Sequence, residues 1–298
     1  MSQAVDRTQF DPDVVRQLGR IDIIARVIVS GVRRGLHRSR RRGFSSEFSD
    51  FNPYTPGDDL RLLDWRLYAR TDRLFVKRFE AETNVELMLL LDASASMAWR
   101  WQDTISKLEY AANLLAAFAC LHMRQQDQVG LLVHDATSLH HLPPRCRRAQ
   151  LEAIFSALDE LSPGNASTFP ILVDSLARLR RHRGIVIACS DLEEEEDSLR
   201  AALRELAGTG NEIILFHLLD EAETTLPFED ATHLRDSETG ATIPVSVQQF
   251  RDQYAESLQR FRQSWQDECE QCGILYMPVH TAMNYVDVII EMVEKRNI

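Results

Sequence analysis

The stretch LLLDASASMAW, Leu89 to Trp99, passes directly from aliphatic residues to one carboxylate and two hydroxyls. It continues an apolar run that starts at Val85, and such a run is typical of a strand buried on both faces of a parallel sheet. Asp92, Ser94 and Ser96 then follow at every second position. Hydroxyls placed after a strand often cap the next helix, whereas three oxygens on one tight loop also suit a hard cation.

Beyond this strand, apolar runs alternate with stretches whose apolar residues recur at helical spacing. Further strands are predicted at Gln128–His134, Gly184–Ser190, Glu212–Leu219 and Ile274–Pro278. Helices are predicted at Lys107–His122, Arg147–Leu161, Ile171–Arg180, Ser198–Ala207, Val247–Cys272 and Met283–Lys295. Alternation of this kind predicts an α/β fold with a doubly wound, mostly parallel sheet and helices on both faces.

Two carboxylates are expected to meet at one edge of that sheet. Asp92 and Asp191 each follow a buried strand, and such sheets bind ligands beyond the carboxyl ends of their strands. Thr168, in the polar loop from Gly164 to Pro170, offers a further hydroxyl. Neutral hydroxyls leave Mg²⁺ short of negative charge, so one more carboxylate from a partner protein is expected to complete its coordination. The alternative is that the serines and Asp191 cap the following helices, and we favour the metal site.

The DASAS element, Asp92 to Ser96, resembles the Asp-x-Ser-x-Ser element of the metal-ion-dependent adhesion site in von Willebrand factor type A domains. In that fold a loop threonine and a later aspartate complete the site, and Thr168 and Asp191 fall in the matching places. The resemblance covers about Val85 to Ile298. It implies a six-stranded, mostly parallel sheet with Mg²⁺, or another divalent cation such as Mn²⁺, at its upper edge. One departure is Phe169, since many members carry Asp after the threonine.

The chain changes character near residue 84. It is predicted to comprise a basic helical and β extension, residues 1–84, and an α/β domain, residues 85–298. The extension contains a basic cluster, RRGLHRSRRR, from Arg33 to Arg42, and a segment of strand propensity, LFVKRF, from Leu74 to Phe79. The cluster is open to three interpretations: a solvated arm, a contact for an acidic protein, or a nucleic-acid patch. The net charge of −11 makes nucleic acid the least favoured, because nucleic-acid binders are usually basic.

The extension also carries the most specific motif in the sequence. YTPGDD (Tyr54 to Asp59), DWR (Asp64 to Arg66) and ART (Ala69 to Thr71) closely resemble the signature of the domain of unknown function 58 family. The match extends over the chain from about Gly19, and in that family the signature directly precedes a type A fold. The resemblance implies a bacterial or archaeal protein that acts alongside a MoxR-type AAA+ ATPase to assemble, remodel or activate other proteins.

Composition argues against several classes of protein. No apolar run approaches the ~20 residues of a membrane-spanning helix. The start of the chain, MSQAVDRTQFDPDVV, lacks the basic-then-apolar layout of a signal peptide, so a cytoplasmic location is expected. The CEQC pair, Cys269 to Cys272, has no second pair of ligands at zinc spacing, and no functional role is assigned to it.

The leading interpretation is a non-enzymatic, metal-dependent protein-interaction module, an adaptor or co-chaperone of a MoxR-type ATPase. Its cation would accept an acidic residue from a client protein. One alternative is a magnesium-dependent phosphohydrolase that uses Asp92, but that chemistry needs a second Asp two residues on, where Ser94 stands. Another is nucleic-acid binding through the Arg33–Arg42 arm, which predicts steep salt dependence. The sequence has neither the Gly-x-Ser-x-Gly elbow of serine hydrolases nor the P-loop of ATPases.

Overall fold

The alternating apolar runs form a six-stranded sheet in the computed structural model of the chain. The structure describes residues 10–43, 51–53, 75–77, 85–135, 139–164, 169–179, 183–193, 196–227, 231–235 and 242–296. The strands, in chain order, are β1 (Phe51–Pro53), β2 (Phe75–Lys77), β3 (Glu86–Leu91), β4 (Gln128–His134), β5 (Leu139–Arg145), β6 (Ile185–Ser190), β7 (Glu212–Leu219), β8 (Ala231–Arg235), β9 (Thr242–Ser246) and β10 (Leu275–His280). The helices are α1 (Pro12–Arg16), α2 (Ile21–Gly43), α3 (Lys107–Arg124), α4 (Arg148–Asp159), α5 (Phe169–Leu179), α6 (Glu196–Gly208), α7 (Glu221–Thr225), α8 (Val247–Cys272) and α9 (Tyr285–Arg296).

The six strands lie in the order β10-β7-β6-β3-β4-β5. All neighbours are parallel except β4 and β5, which pair antiparallel at one edge. From β3 the chain builds the sheet first toward β4 and β5, and then returns to add β6, β7 and β10 on the other side. The point where the order switches therefore lies between β3 and β6. The predicted doubly wound, mostly parallel six-stranded fold is confirmed.

Helices α5, α6 and α8 cover one face of this sheet. Phe169 of α5, Leu203 of α6 and Trp265 of α8 are buried in one cluster with Leu90 of β3. Successive residues of a strand point to opposite faces, so Leu89 faces the other side of the sheet, where α3 lies. Apolar burial on both faces explains why these strands read as continuous apolar runs.

Helix α3 is buried on nearly all sides, and every residue from Tyr110 to Cys120 is buried. The Tyr110 ring stacks on Tyr285 of α9 with ring centroids 4.5 Å apart, and its hydroxyl donates to the Met283 carbonyl at 2.9 Å. Packing between the sheet and α9 removes the need for a polar face, which the sequence of this helix lacks.

The chain divides into two compact units, one formed by Met1–Gly35 with Val85–Ile298 and the other by Leu36–Asn84. The predicted extension, residues 1–84, is therefore shared between them. In the first unit, a Cβ atom on Gly31 of α2 would lie 2.7 Å from Val286 Cγ2 of α9, so the two helices make a very close contact. Asn284 Nδ2 donates to Asp11 Oδ1 at 3.1 Å beside this contact. In the second unit, β1 pairs antiparallel with β2.

Parts of the predicted extension lie outside the described residues. These are the signature segments between residues 54 and 71 and the side chains of residues 36–43, which include most of the basic cluster. At the start of the cluster, the Arg34 guanidinium lies over the Phe10 ring, 5.6 Å from its centroid, and Arg34 Nη2 donates to Ser30 Oγ. Among the helices of the described part, none combines the length and the apolar character that a bilayer span requires.

The CEQC pair ends helix α8, and both of its thiols are free. Burial raises the pKa of Cys269 to about 12, and burial together with the nearby Glu268 carboxylate raises the pKa of Cys272. Thiols with raised pKa values remain protonated at neutral pH, whereas redox and metal-binding cysteines act as thiolates. This environment favours a structural role for the pair.

Candidate metal site at the sheet edge

The candidate site lies where the strand order switches. Asp92 follows β3 and Asp191 follows β6, and these two strands are direct neighbours. The Asp92 backbone N–H donates to the Cys189 carbonyl at 2.9 Å, so the strand pairing continues up to the first carboxylate. Asp92 is 2% exposed and Asp191 is 0% exposed. The structure therefore brings these two predicted residues together at a buried edge.

The Asp92 carboxylate is held by both of its oxygens. Oδ1 accepts the Ser94 backbone N–H at 2.9 Å, and Oδ2 accepts the Ser190 hydroxyl at 2.7 Å. The Ser190 hydroxyl in turn accepts the Leu192 N–H at 3.0 Å. Leu192 has a φ of 58°, a left-handed conformation that is rare for a bulky residue and that the surrounding packing must enforce. Ser190 thus fixes the orientation of the carboxylate in advance.

The two predicted serines lie side by side within the same loop. Ser94 Oγ and Ser96 Oγ are 2.9 Å apart, and both residues are buried. Neither serine caps a helix: the short 3-10 turn at Ser96–Ala98 has Ala95 at its N-cap with no side-chain bond. Helix α3 is capped by Ser106, whose hydroxyl accepts the Glu109 N–H in a capping box. Helix capping therefore does not account for Ser94 and Ser96.

Thr168 lies outside the described residues, which resume at Phe169, the first residue of α5. Phe169 itself is buried in the core. The contribution of the Thr168 hydroxyl to the site thus stays a prediction.

A buried lysine, which was not predicted from the sequence, is part of the same cluster. Lys107 is the first residue of α3, and its side chain is fully buried. Its ammonium lies 2.8 Å from Asp191 Oδ2, 2.9 Å from Glu223 Oε1 and 3.8 Å from Glu193 Oε1. Burial alone would lower the pKa of Lys107, but the carboxylates of Asp191 and Glu223 outweigh it and raise that pKa above its ordinary value. Lys107 is therefore a permanent positive charge.

Even with this ammonium, the cluster is short of positive charge around Asp92. Burial first, and then the charge of Asp191, raise the pKa of Asp92 from 3.8 to about 7. The hydrogen bonds from Ser190 and Ser94 act in the opposite direction and are too weak to cancel this rise. A positive charge close to Asp92 would restore its ionised form.

A neutral histidine lies beside the site on β7, where His217 pairs in register with Ser190. Its Nδ1 is 2.5 Å from the Tyr276 hydroxyl, and burial lowers its pKa to about 3. After Glu212, His217 is the single polar residue in the run EIILFHLL, and this interruption is the sequence signal for the position.

The donor chemistry fits a hard cation, because the loop offers one carboxylate and two hydroxyl oxygens close together. Among the described residues, no group of three or more His, Cys, Asp or Glu side chains is arranged to hold a metal ion. A nucleophilic role fits less well, since both oxygens of Asp92 are engaged and Ser94 occupies the position of the general acid. The arrangement is best suited to binding.

The six-stranded sheet has its DASAS loop at the edge where the strand order switches, and this is the von Willebrand factor type A-like fold that the sequence resemblance implied. The family model described as "Protein of unknown function DUF58" matches residues 50–264 of the chain. The chain belongs to this family, as its sequence signature predicted.

Among curated proteins, the chain is similar to Uncharacterized protein Rv1480 of Mycobacterium tuberculosis and Uncharacterized protein Mb1516 of Mycobacterium bovis. Each is 25% identical over 290 residues, covering 96% of this chain and 90% of the relative. Among solved structures, it is similar to a conserved hypothetical protein, BatB, from Bacteroides thetaiotaomicron, with 20% identity and a TM-score of 0.46, covering 71% of this chain and 98% of that chain. The SpRpn10 VWA domain has 14% identity and a TM-score of 0.42, covering 70% of this chain and 95% of that one.

Proposed function

We propose that this chain is a non-enzymatic, metal-dependent protein-interaction module. A divalent cation, Mg²⁺ or Mn²⁺, would be held by Asp92, Ser94 and Ser96, with Thr168 and Asp191 completing the set. The observation that carries the proposal is the pair of buried serine hydroxyls, 2.9 Å apart beside a buried carboxylate and free of any capping role. Hydrogen bonds within the loop and to Ser190 satisfy part of their bonding capacity, and a shared ligand explains why three oxygen-bearing side chains converge at a buried sheet edge.

The electrostatics support the same proposal. The pKa of Asp92, raised to about 7, marks a place where added positive charge would stabilise the fold. When bound, the cation would supply a coordination position for an acidic side chain. The chain's own residues prepare that position: Ser190 orients Asp92, and the buried edge keeps bulk water away.

The partner proposed for the site is a client protein that presents a Glu or Asp side chain. A carboxylate bound to a metal in a dry interface is directional and strong, so one acidic residue can control docking. The family signature supports a MoxR-type AAA+ ATPase as the enzyme for which this chain serves as adaptor or co-chaperone. In that scheme the ATPase does the work of remodelling, and the present chain selects the client.

The test is Mn²⁺ binding by isothermal titration calorimetry to three proteins. These are the wild type, the Ser94→Ala, Ser96→Ala double variant, and a control with the exposed Ser156 and Ser257 both changed to Ala. We expect the double variant to bind at least about tenfold more weakly than the other two, because two of its oxygen ligands are lost. A folded double variant whose Mn²⁺ affinity equals that of the wild type would refute the metal site.

The adaptor role needs a separate measurement. The chain and its AAA+ ATPase are co-expressed and co-purified in Mg²⁺ and in EDTA, with the wild type and both serine variants. We expect retention of a client that depends on Mg²⁺ and on Ser94 and Ser96. Equal retention in EDTA would show that docking does not use the cation.

A further inference from the structure

Lys107 is the feature of the site that the proposed function leaves unexplained. A lysine side chain with 0% exposure is uncommon unless it is paired, and this one meets three carboxylates from two separate parts of the chain. Asp191 and Glu193 belong to the loop after β6, whereas Glu223 belongs to α7, after β7. The ammonium therefore joins the carboxyl ends of two neighbouring strands.

Both sides of this contact are fixed by capping boxes. Lys107 directly follows Ser106, whose reciprocal bonds with Glu109 set the start of α3. Glu223 is the third helical residue of α7, where its Oε2 accepts the Asp220 N–H at 2.6 Å while its Oε1 meets the ammonium. These bonds fix Glu223 and the backbone at Lys107, and the ammonium lies between Glu223 and Asp191, 2.9 Å and 2.8 Å from their oxygens.

The charges at this edge do not balance. Asp92, Asp191, Glu193 and Glu223 supply up to four negative charges against the one positive charge of Lys107. Asp191 connects Lys107 with Asp92. It pairs with the Lys107 ammonium, and its negative charge also disfavours the ionised form of Asp92. Any cation near Asp92 would thus share Asp191 with Lys107 and would be repelled by the ammonium.

We propose that Lys107 is a built-in cation that competes with the divalent ion for Asp191 and keeps the affinity of the unpartnered site low. The inference rests on the proposed function and adds a means of regulation to it. A site weakened in this way holds its ion firmly only when the client carboxylate adds a further negative charge. Metal binding and client binding then become mutually dependent.

The test is Lys107→Met, which preserves much of the side-chain volume and removes the charge. The matched control is Lys295→Met, a change to an exposed lysine that pairs with Glu291. Mn²⁺ affinity is measured by calorimetry, and thermal unfolding is followed in EDTA and in Mg²⁺. We expect Lys107→Met to bind Mn²⁺ on the order of tenfold or more tightly than wild type, because the repulsion is gone and Asp191 is released.

Thermal unfolding separates this role from a structural one. In EDTA, Lys107→Met should unfold at a lower temperature than wild type, because buried carboxylates lose their counter-charge. In Mg²⁺ most of that loss should be recovered, since the divalent ion replaces the missing charge. A lysine that served only as a structural ion pair would give the same loss in both conditions.

If Lys107→Met folds neither in EDTA nor in Mg²⁺, a second pair of variants with matched charges is compared instead. Glu223→Gln is compared with the double variant Lys107→Met, Glu223→Gln, since removing both members of a buried pair costs far less than removing one. The double variant should bind Mn²⁺ more tightly than the single variant Glu223→Gln.

Equal or weaker binding after the loss of Lys107, while wild type binds Mn²⁺, would overturn this inference and leave the metal site standing. No binding to the wild type or to any Lys107 variant would overturn both. The two failures are therefore distinguishable by titrating the wild type and the Lys107 variants side by side.

Discussion

The buried charge of Asp92 gives the sharpest prediction, which concerns stability as a function of pH. Asp92→Asn removes the charge and keeps the size of the side chain. In metal-free buffer, we expect the wild type to lose stability relative to this variant as the pH rises from about 4 to about 8. The physical cause is that folding places a carboxylate in a dry site next to Asp191.

The direction and the size of this pH effect on stability follow from the raised pKa of Asp92. Because the pKa of Asp92 rises from 3.8 to about 7 on folding, the folded protein holds this proton more tightly than the unfolded chain does. Stability relative to the variant is therefore highest below pH 3.8 and declines as the pH rises toward 7. About three pH units at ~1.4 kcal/mol each give an upper limit of ~4 kcal/mol. Asn cannot accept both hydrogen bonds, but this costs a roughly constant ~1–2 kcal/mol at every pH.

The assay is urea unfolding in EDTA, followed by tryptophan fluorescence at intervals between pH 4.5 and pH 8. The difference in unfolding free energy between wild type and variant reports the titration of Asp92 together with its interaction with Asp191, since more distant titrating groups are common to both. Asp103→Asn, a change at an exposed position before α3, serves as the control and should follow the wild type. Adding Mg²⁺ should restore the wild type at high pH and leave Asp92→Asn unchanged.

A difference that stays constant across this pH range would refute the reasoning. It would mean that Asp92 is ionised in the folded protein at an ordinary pKa, and that the site needs no further positive charge.

Three more predictions use the same unfolding assay. Gly31→Ala should cost about 1–3 kcal/mol because its Cβ would meet Val286 at 2.7 Å, whereas Gly208→Ala, with nothing within 4 Å, should be neutral or slightly stabilising. Ser106→Ala should cost about 1 kcal/mol through the lost cap of α3, and equal midpoints in urea would contradict that role. Folding lowers the pKa of His217 from 6.5 to about 3, so the unfolded chain takes up the proton first and stability falls as the pH drops below 6.5. His217→Phe should remove that part of the acid sensitivity, and an acid profile parallel to the wild type would argue against it.

The sheet was predictable from sequence because its strands are buried on both faces. The pattern predicted β4, β7 and α8 with the bounds that the structure shows, and the other predicted elements within a few residues. Strand β5 was missed, since LHHLPPR alternates weakly and contains two prolines. An edge strand tolerates proline because one side of its backbone makes no ladder bonds, and only the neighbouring strand reveals the pairing.

The residues of the site also fall into two groups, those that the sequence predicts and those that only the tertiary fold reveals. Asp92, Ser94 and Ser96 lie within one loop, so their spacing alone predicts that their oxygens converge. Lys107 and Glu223 reach the site only through the tertiary fold, 116 residues apart in sequence. At position 107 the local pattern indicates a helix start, which is correct, and gives no sign that the side chain turns inward.

The close fit of Gly31 against Val286 has a consequence for how the protein is made. Helix α2 emerges from the ribosome well before α9, the helix that packs against it. At roughly 5–20 residues per second, the intervening stretch of about 250 residues takes on the order of 10–50 s to translate. Throughout that interval the nascent chain exposes an aliphatic surface, and cellular holding factors are expected to shield it until α9 has been synthesised.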